Sequence, residues 1–131
     1  MNDNKLKINL AAIRIKCAEI AGWKMLAHSE WMWRSGPDDI LPTGIREGYT
    51  KVIPDYPESA DAALQLVEWM SKPENGGWIL ESNFNGREWS AQLIEIIDGK
   101  TNHWITKFAN TFALAICLAF LKANNIKPET L

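Results

Sequence analysis

An α+β fold, with an antiparallel sheet of about four to five strands flanked by helices on both faces, is what this 131-residue sequence predicts. Three observations predict it. Residues 112–121, FALAICLAFL, contain no polar side chain, which is helix length but far short of the ~20 residues of a membrane span. Asn85-Gly86 and a second turn at 98–102 divide residues 78–109 into three segments of strand length. Those segments carry apolar residues on both alternating faces, whereas a sheet covered on one side shows clean alternation. The expected order is helix, hairpin, long loop, helix, β-meander, helix, in one domain spanning 1–131.

The first helix rests on Leu6, Leu10, Ile13, Cys17 and Ile20, which repeat every three or four residues. Gly22 stands where a helix ends in positive φ, and Trp23 is placed to fold back over the last turn. Two short extended segments follow, at 23–27 and 30–34. Residues 35–57 read as a long loop, punctuated by Pro37, Pro42, Pro54, Pro57, Gly36, Gly44 and Gly48, with a short strand near 49–53. The second helix starts at the N-cap Ser59, with Asp61 in its first turn and a stripe of Ala63, Leu66, Val67 and Met70. KPENGG at 72–77 stops it. In the first hairpin Asn85-Gly86 as a two-residue turn pairs Phe84 with Arg87 and Ser82 with Trp89. In the second, Ile97 is set against His103 and Glu95 against Ile105.

One sheet face then carries Trp78, Leu80, Phe84, Trp89, Ala91, Leu93, Ile97, Ile105 and Ala109. The other carries Ile79, Ile94, Ile96, Trp104 and Phe108, turning polar toward the Asn-Gly end. Both faces need cover, so helices on each side follow, with the last helix the most deeply packed. One monomer has difficulty surrounding that helix completely. A homo-oligomer is therefore expected, joined through the helix or through the half-apolar sheet face.

Lys and Arg total 14 against 16 Asp and Glu, a formal charge of -2 without a basic block, which speaks against nonspecific nucleic-acid binding. The N-terminus alternates polar and apolar residues too early for a secretory signal, so a cytoplasmic location is expected. Cys17 and Cys117 fall on apolar helix faces without a CxxC pair, and are expected as buried thiols rather than a disulfide.

Ala21-Gly22-Trp23-Lys24, Trp33, Pro54-Asp55-Tyr56, Ala62-Ala63, Leu66-Val67-Glu68, Trp89, Ala109, Thr111 and the run Leu114 to Ala119 occur in an order that resembles the phage ABA-sandwich domain family over nearly the whole chain. Ala113 replaces a proline of many relatives, and Pro57-Glu58 a Thr-Thr pair; both departures touch helix starts. The resemblance implies phage or prophage origin, hence a bacterial host cytoplasm, and an α/β/α sandwich. It implies no catalytic residues.

Of seven tryptophans, Trp31 and Trp33 flank Met32 and precede Arg34. Alternate positions put both rings on one side of a strand. They read either as packing or as a stacking wall for a planar ligand, with Arg34 or Arg46 meeting phosphate. Tyr49 and Tyr56 bracket the end of the long loop and, with Arg46 and Lys51, read as a ligand lid or an oligomer arm. Arg87, at the first hairpin turn, completes the candidate ligand-binding set. His28-Ser29-Glu30 lacks the Pro-Cys-x-x-Cys partner of zinc deaminases, and His28 and His103 are too isolated for a metal site. Glu95 is expected on the apolar sheet face, paired with His103 or Lys107. No Walker loop, GxGxxG or spaced nucleophile set occurs, so no catalytic residue, metal or cofactor is expected.

The function expected on these grounds is non-enzymatic: a phage homo-oligomer that sequesters a small host immune nucleotide. An adaptor or inhibitor docking on a host protein is the alternative, and a small nucleotide-cleaving enzyme ranks below it.

Overall fold

The computed structural model describes residues 8–25, 43–46 and 49–131. Helix α1 (Leu10–Ile20) is followed by strands β1 (Lys24–Met25), β2 (Thr43–Arg46) and β3 (Tyr49–Val52). Helix α2 (Ala60–Ser71), the strands β4 (Trp78–Phe84), β5 (Trp89–Ile97) and β6 (Lys100–Ala109), and helix α3 (Phe112–Ala123) complete the order. The chain is thus α+β, with two small antiparallel sheets, β1–β2–β3 and β4–β5–β6. Among the described residues no helix is long and apolar enough to cross a membrane.

Each helix starts on a side chain that accepts an orphan N–H. Asn9 Oδ1 accepts from Ala12 at 3.1 Å, Ser59 Oγ from Ala62 at 3.2 Å and Thr111 Oγ1 from Leu114 at 3.2 Å. Helix α1 begins at Leu10, and Leu6 of its expected stripe lies outside the described residues. At its end Gly22 has φ +98°, and the Trp23 N–H closes the turn on the Ala18 carbonyl at 2.9 Å. The segment 30–34, expected as the partner of 23–27, lies outside the described residues. Strand β1 pairs instead with β2, inside what reads from sequence as an irregular loop. Gly44 permits this pairing: a Cβ there would stand 3.0 Å from the Lys24 carbonyl oxygen and 3.1 Å from the Trp23 ring.

Both hairpins differ from expectation, the first by two residues and the second by two residues up to Glu95 and three beyond it. Phe84 pairs with Trp89, not Arg87, because Asn85 Oδ1 accepts from the Arg87 and Glu88 N–H groups at 2.9 and 2.8 Å and holds 85–88 as a longer loop. Ile97 pairs with Lys100 across Asp98-Gly99, both at positive φ (53° and 77°), which is a two-residue type I′ turn. A bulge follows between Glu95 and Ile96 and leaves Asn102 extra. Glu95 is half-buried and lies opposite His103 in the ladder, and its carboxylate accepts from Asn102 Nδ2 at 2.7 Å. Because the slips outside the bulge are even, residues 78–95 and 103–109 keep their predicted faces, whereas the bulge makes the shift odd at Thr101 and Lys100.

The larger correction concerns the layers. The meander has the three strands expected of it, but the other strands form a separate sheet rather than extending it to four or five, and the described helices cover one face of the meander. Helix α3 lies on β5 and β6, α2 lies beside α3 and reaches β4, and α1 packs on the far side of α3. Ala91, Leu93, Ile105 and Ala109 of the inner face are buried against these helices. On the outer face Trp104 is 63% exposed, Phe108 54% and Ile79 52%, while Ile94 and Ile96 are half-buried.

The middle two turns of helix α3 are enclosed by its own chain. Residues 115–121 are all buried, so every side of the helix meets protein. Three alanines, Ala113, Ala115 and Ala119, keep it slim enough for neighbours to approach on all sides. Trp69 meets Phe120 edge-on at 5.9 Å, and Trp89 meets Phe112 at 5.3 Å. The expected surplus of apolar surface therefore lies on the sheet and not on the helix. Ile116→Ala is expected to cost about 2–5 kcal/mol, since the enclosed site cannot collapse onto the cavity. Urea unfolding checks this, and a cost under 1 kcal/mol would deny the enclosure.

Candidate functional site

Two regions carry unusual side chains. The first joins α1, β2 and the turn after β3. Arg14 of α1 donates from Nε (3.1 Å) and from its terminal nitrogen to the Ile53 carbonyl, tying the end of β3 to the helix. Trp23, almost buried, donates from Nε1 to the Tyr56 hydroxyl at 3.0 Å. The Arg46 guanidinium stands over the Trp23 ring, 5.8 Å from its centre.

Of the residues expected to bind ligand, Arg46 and Tyr56 are thus brought together through Trp23, whose role the sequence did not indicate. Tyr56 has no exposed surface, however, and its phenol is already occupied. Tyr49 lies opposite Arg46 in the β2–β3 ladder. Trp31, Trp33 and Arg34, like His28, lie outside the described residues. Arg87 is exposed at the β4–β5 loop, in the other sheet, and does not join the group.

Behind Tyr56 lie two free, buried thiols, Cys17 of α1 and Cys117 of α3. Burial raises the Tyr56 phenol above its ordinary 10.0, against the opposing pull of the Trp23 hydrogen bond and the Arg46 charge. Burial, then the Cys17 thiol beside it and the Asp55 carboxylate, hold Cys117 well above its ordinary 9.0. Both groups therefore stay protonated at neutral pH, so this core offers neither a thiolate nor a phenolate nucleophile. Among the described residues no three His, Cys, Asp or Glu side chains are grouped to hold a metal.

The second region is the outer face of β4–β5–β6. Strand register puts Ile79, Ile94 and Trp104 in one row across all three strands. The next row, Glu81, Gln92 and Thr106, is polar, and the third is Asn83, Ser90 and Phe108. The alternation in the sequence carried this face correctly; its lack of a second helical cover was not legible. A cleft of about 380 Å³ near the end of α3 includes Lys16, Asn125 and Lys127. Another of about 300 Å³ includes Leu10, Glu58 and Thr111. Neither contains a tryptophan, a tyrosine or an arginine.

No family model, curated protein or solved structure matches the chain.

Two outcomes test the inner group. Tyr56→Phe leaves the buried Trp23 N–H without its acceptor and is expected to cost about 1–3 kcal/mol in urea unfolding; no loss would deny the hydrogen bond. The second outcome concerns pH. Raised folded-state pKa values contribute stability below the ordinary values and lose it above them, because the unfolded chain then releases protons that the folded chain keeps. Stability is expected to fall as pH climbs through 9.0 and then 10.0. Cys117→Ala is expected to remove the earlier part of that fall, measured by urea unfolding at about pH 7, 9 and 10.5.

Proposed function

We propose that this protein acts by binding and without catalysis: that it assembles with copies of itself and sequesters a small anionic ligand, a signalling nucleotide raised by a bacterial host against a phage. The observation that carries the assembly is the exposed apolar row Ile79–Ile94–Trp104, aligned across three strands. Contiguous apolar surface of this kind marks an interaction site. The α/β/α sandwich of the resemblance also requires a layer over this face, which the described helices leave to something else.

For the ligand, support comes from Arg46, held half-buried over an indole ring and so oriented rather than free to sweep solvent. An oriented guanidinium suits phosphate, and capture needs affinity and abundance but no reacting group. The phage origin implied by the resemblance supplies the context, the cytoplasm of an infected cell.

A second reading has an observation of its own. Small-molecule sites are concave, whereas the outer sheet face is broad and open, which suits a macromolecule. On that reading the protein is an adaptor or inhibitor of a host protein.

Native mass spectrometry of the purified protein tests the proposal, followed by incubation with a panel of cyclic nucleotides and release by heat. Masses at multiples of 14.8 kDa and nucleotides returned intact are expected. A lone chain that retains none of the panel would overturn the proposal, and altered nucleotides would replace it with the cleaving enzyme.

A further inference from the structure

We infer that the outer face of β4–β5–β6 seats a second copy of this chain, sheet on sheet, about a two-fold axis running along β5. The inference rests on the self-assembly proposed above and specifies its geometry. Three features of the face select this arrangement.

The first is the gradient along the strands. The face is apolar where Ile79, Ile94, Ile96 and Trp104 lie and mostly polar where Glu81, Asn83, Ser90 and Gln92 lie. An axis along β5 keeps the strand direction, so the Ile79–Ile94–Trp104 row meets its own copy and the Glu81–Gln92–Thr106 row meets its own, while Phe108 of the third row meets Asn83 of the other copy. An axis across the strands at the Ile94 row would set Ile96 against Gln92 of the other copy.

The second is size. The axis along β5 reverses strand order in the facing layer, so β6 lies over β4. Trp104 of each copy then meets Ile79 of the other, a large ring against a smaller side chain, while Ile94 and Ile96 meet their own copies. Facing sheets keep their strands within ~30° of one another, which preserves these rows.

The third is charge. Of the side chains in the three outer rows only Glu81 is of a charged type, and it falls opposite Thr106 of the other copy. The two Glu81 side chains project into the gap from opposite edge strands, about 10 Å apart sideways. No like charges confront one another across the stack.

Area sets the strength. Three strands about 4.8 Å apart and seven residues long give a face of about 330 Å² in plan. A standard interface covers ~800 Å² per partner. The face is smaller than a standard interface, so the dimer is weak and transient.

Sedimentation equilibrium from about 1 to 200 µM tests this at physiological salt. The wild type is expected to pass from monomer to dimer across that range. Trp104→Lys and Ile79→Lys, both at exposed positions, are expected to weaken association by more than about tenfold, with unchanged circular dichroism and melting. Leu64→Lys, at an exposed apolar position on α2, is expected to associate as wild type does. An oligomer that survives both sheet substitutions overturns this inference and leaves self-assembly standing. A wild type that stays monomeric at 200 µM overturns both, and opens the face to a host protein. A dimer that Trp104→Lys dissolves, but that holds no nucleotide, supports this inference and removes sequestration alone.

Discussion

Enclosing α3 is the constraint on which the rest depends. A helix with Ile116, Cys117, Leu118, Phe120 and Leu121 distributed around its axis has no face fit for water. It must meet protein on every side, and one chain of this length has few elements with which to do it. The solution is a central helix: the meander below, α2 beside it and α1 above. The alanines at 113, 115 and 119 make this possible by letting backbones come close where larger residues would hold them apart.

That solution has a consequence for the sheet. With α1, α2 and α3 all committed to the inner side, no described helix remains for the outer one. Yet the outer rows were not made polar to match. Trp104 and Ile79 remain at positions where a solvated sheet carries Thr, Lys or Glu. Scattered exposed apolar residues are ordinary, but a row in register across three strands is not scattered.

How much of this was legible depends on which physical signal was local. The N-caps Ser59 and Thr111, the stop at Gly22 and the faces of the meander are short-range chemistry, and sequence reading found them. Strand register differs from the local signal by two residues in the first hairpin and, outside the bulge, in the second. Asn85 and Asp98 both favour turns, but side-chain hydrogen bonds at Asn85 and a bulge at Asn102 set the final pairing. The even slip preserves the faces of residues 78–95 and 103–109. Strand β2 was missed because Pro42, Gly44 and Gly48 mark a loop, while Gly44 in fact serves close strand approach. Of the candidate site, the Arg46–Tyr56 neighbourhood was anticipated. Its mediator Trp23 and the Cys17 contact were not, because they bring together residues distant in sequence.

The inner group and the outer face also divide the chemistry between them. Tyr56 and Cys117 have the reactive atoms, but burial keeps both protonated and solvent is excluded from them. The Trp23–Tyr56 hydrogen bond ties the turn after β3 to the residue that follows α1, and Arg46 stands over the same Trp23 ring. The outer face has no reactive atom and one charge, but it is open and ordered by its strand register. Among the described residues the Tyr56 and Cys117 side chains are thus enclosed in the core, while the outer rows of the meander are open.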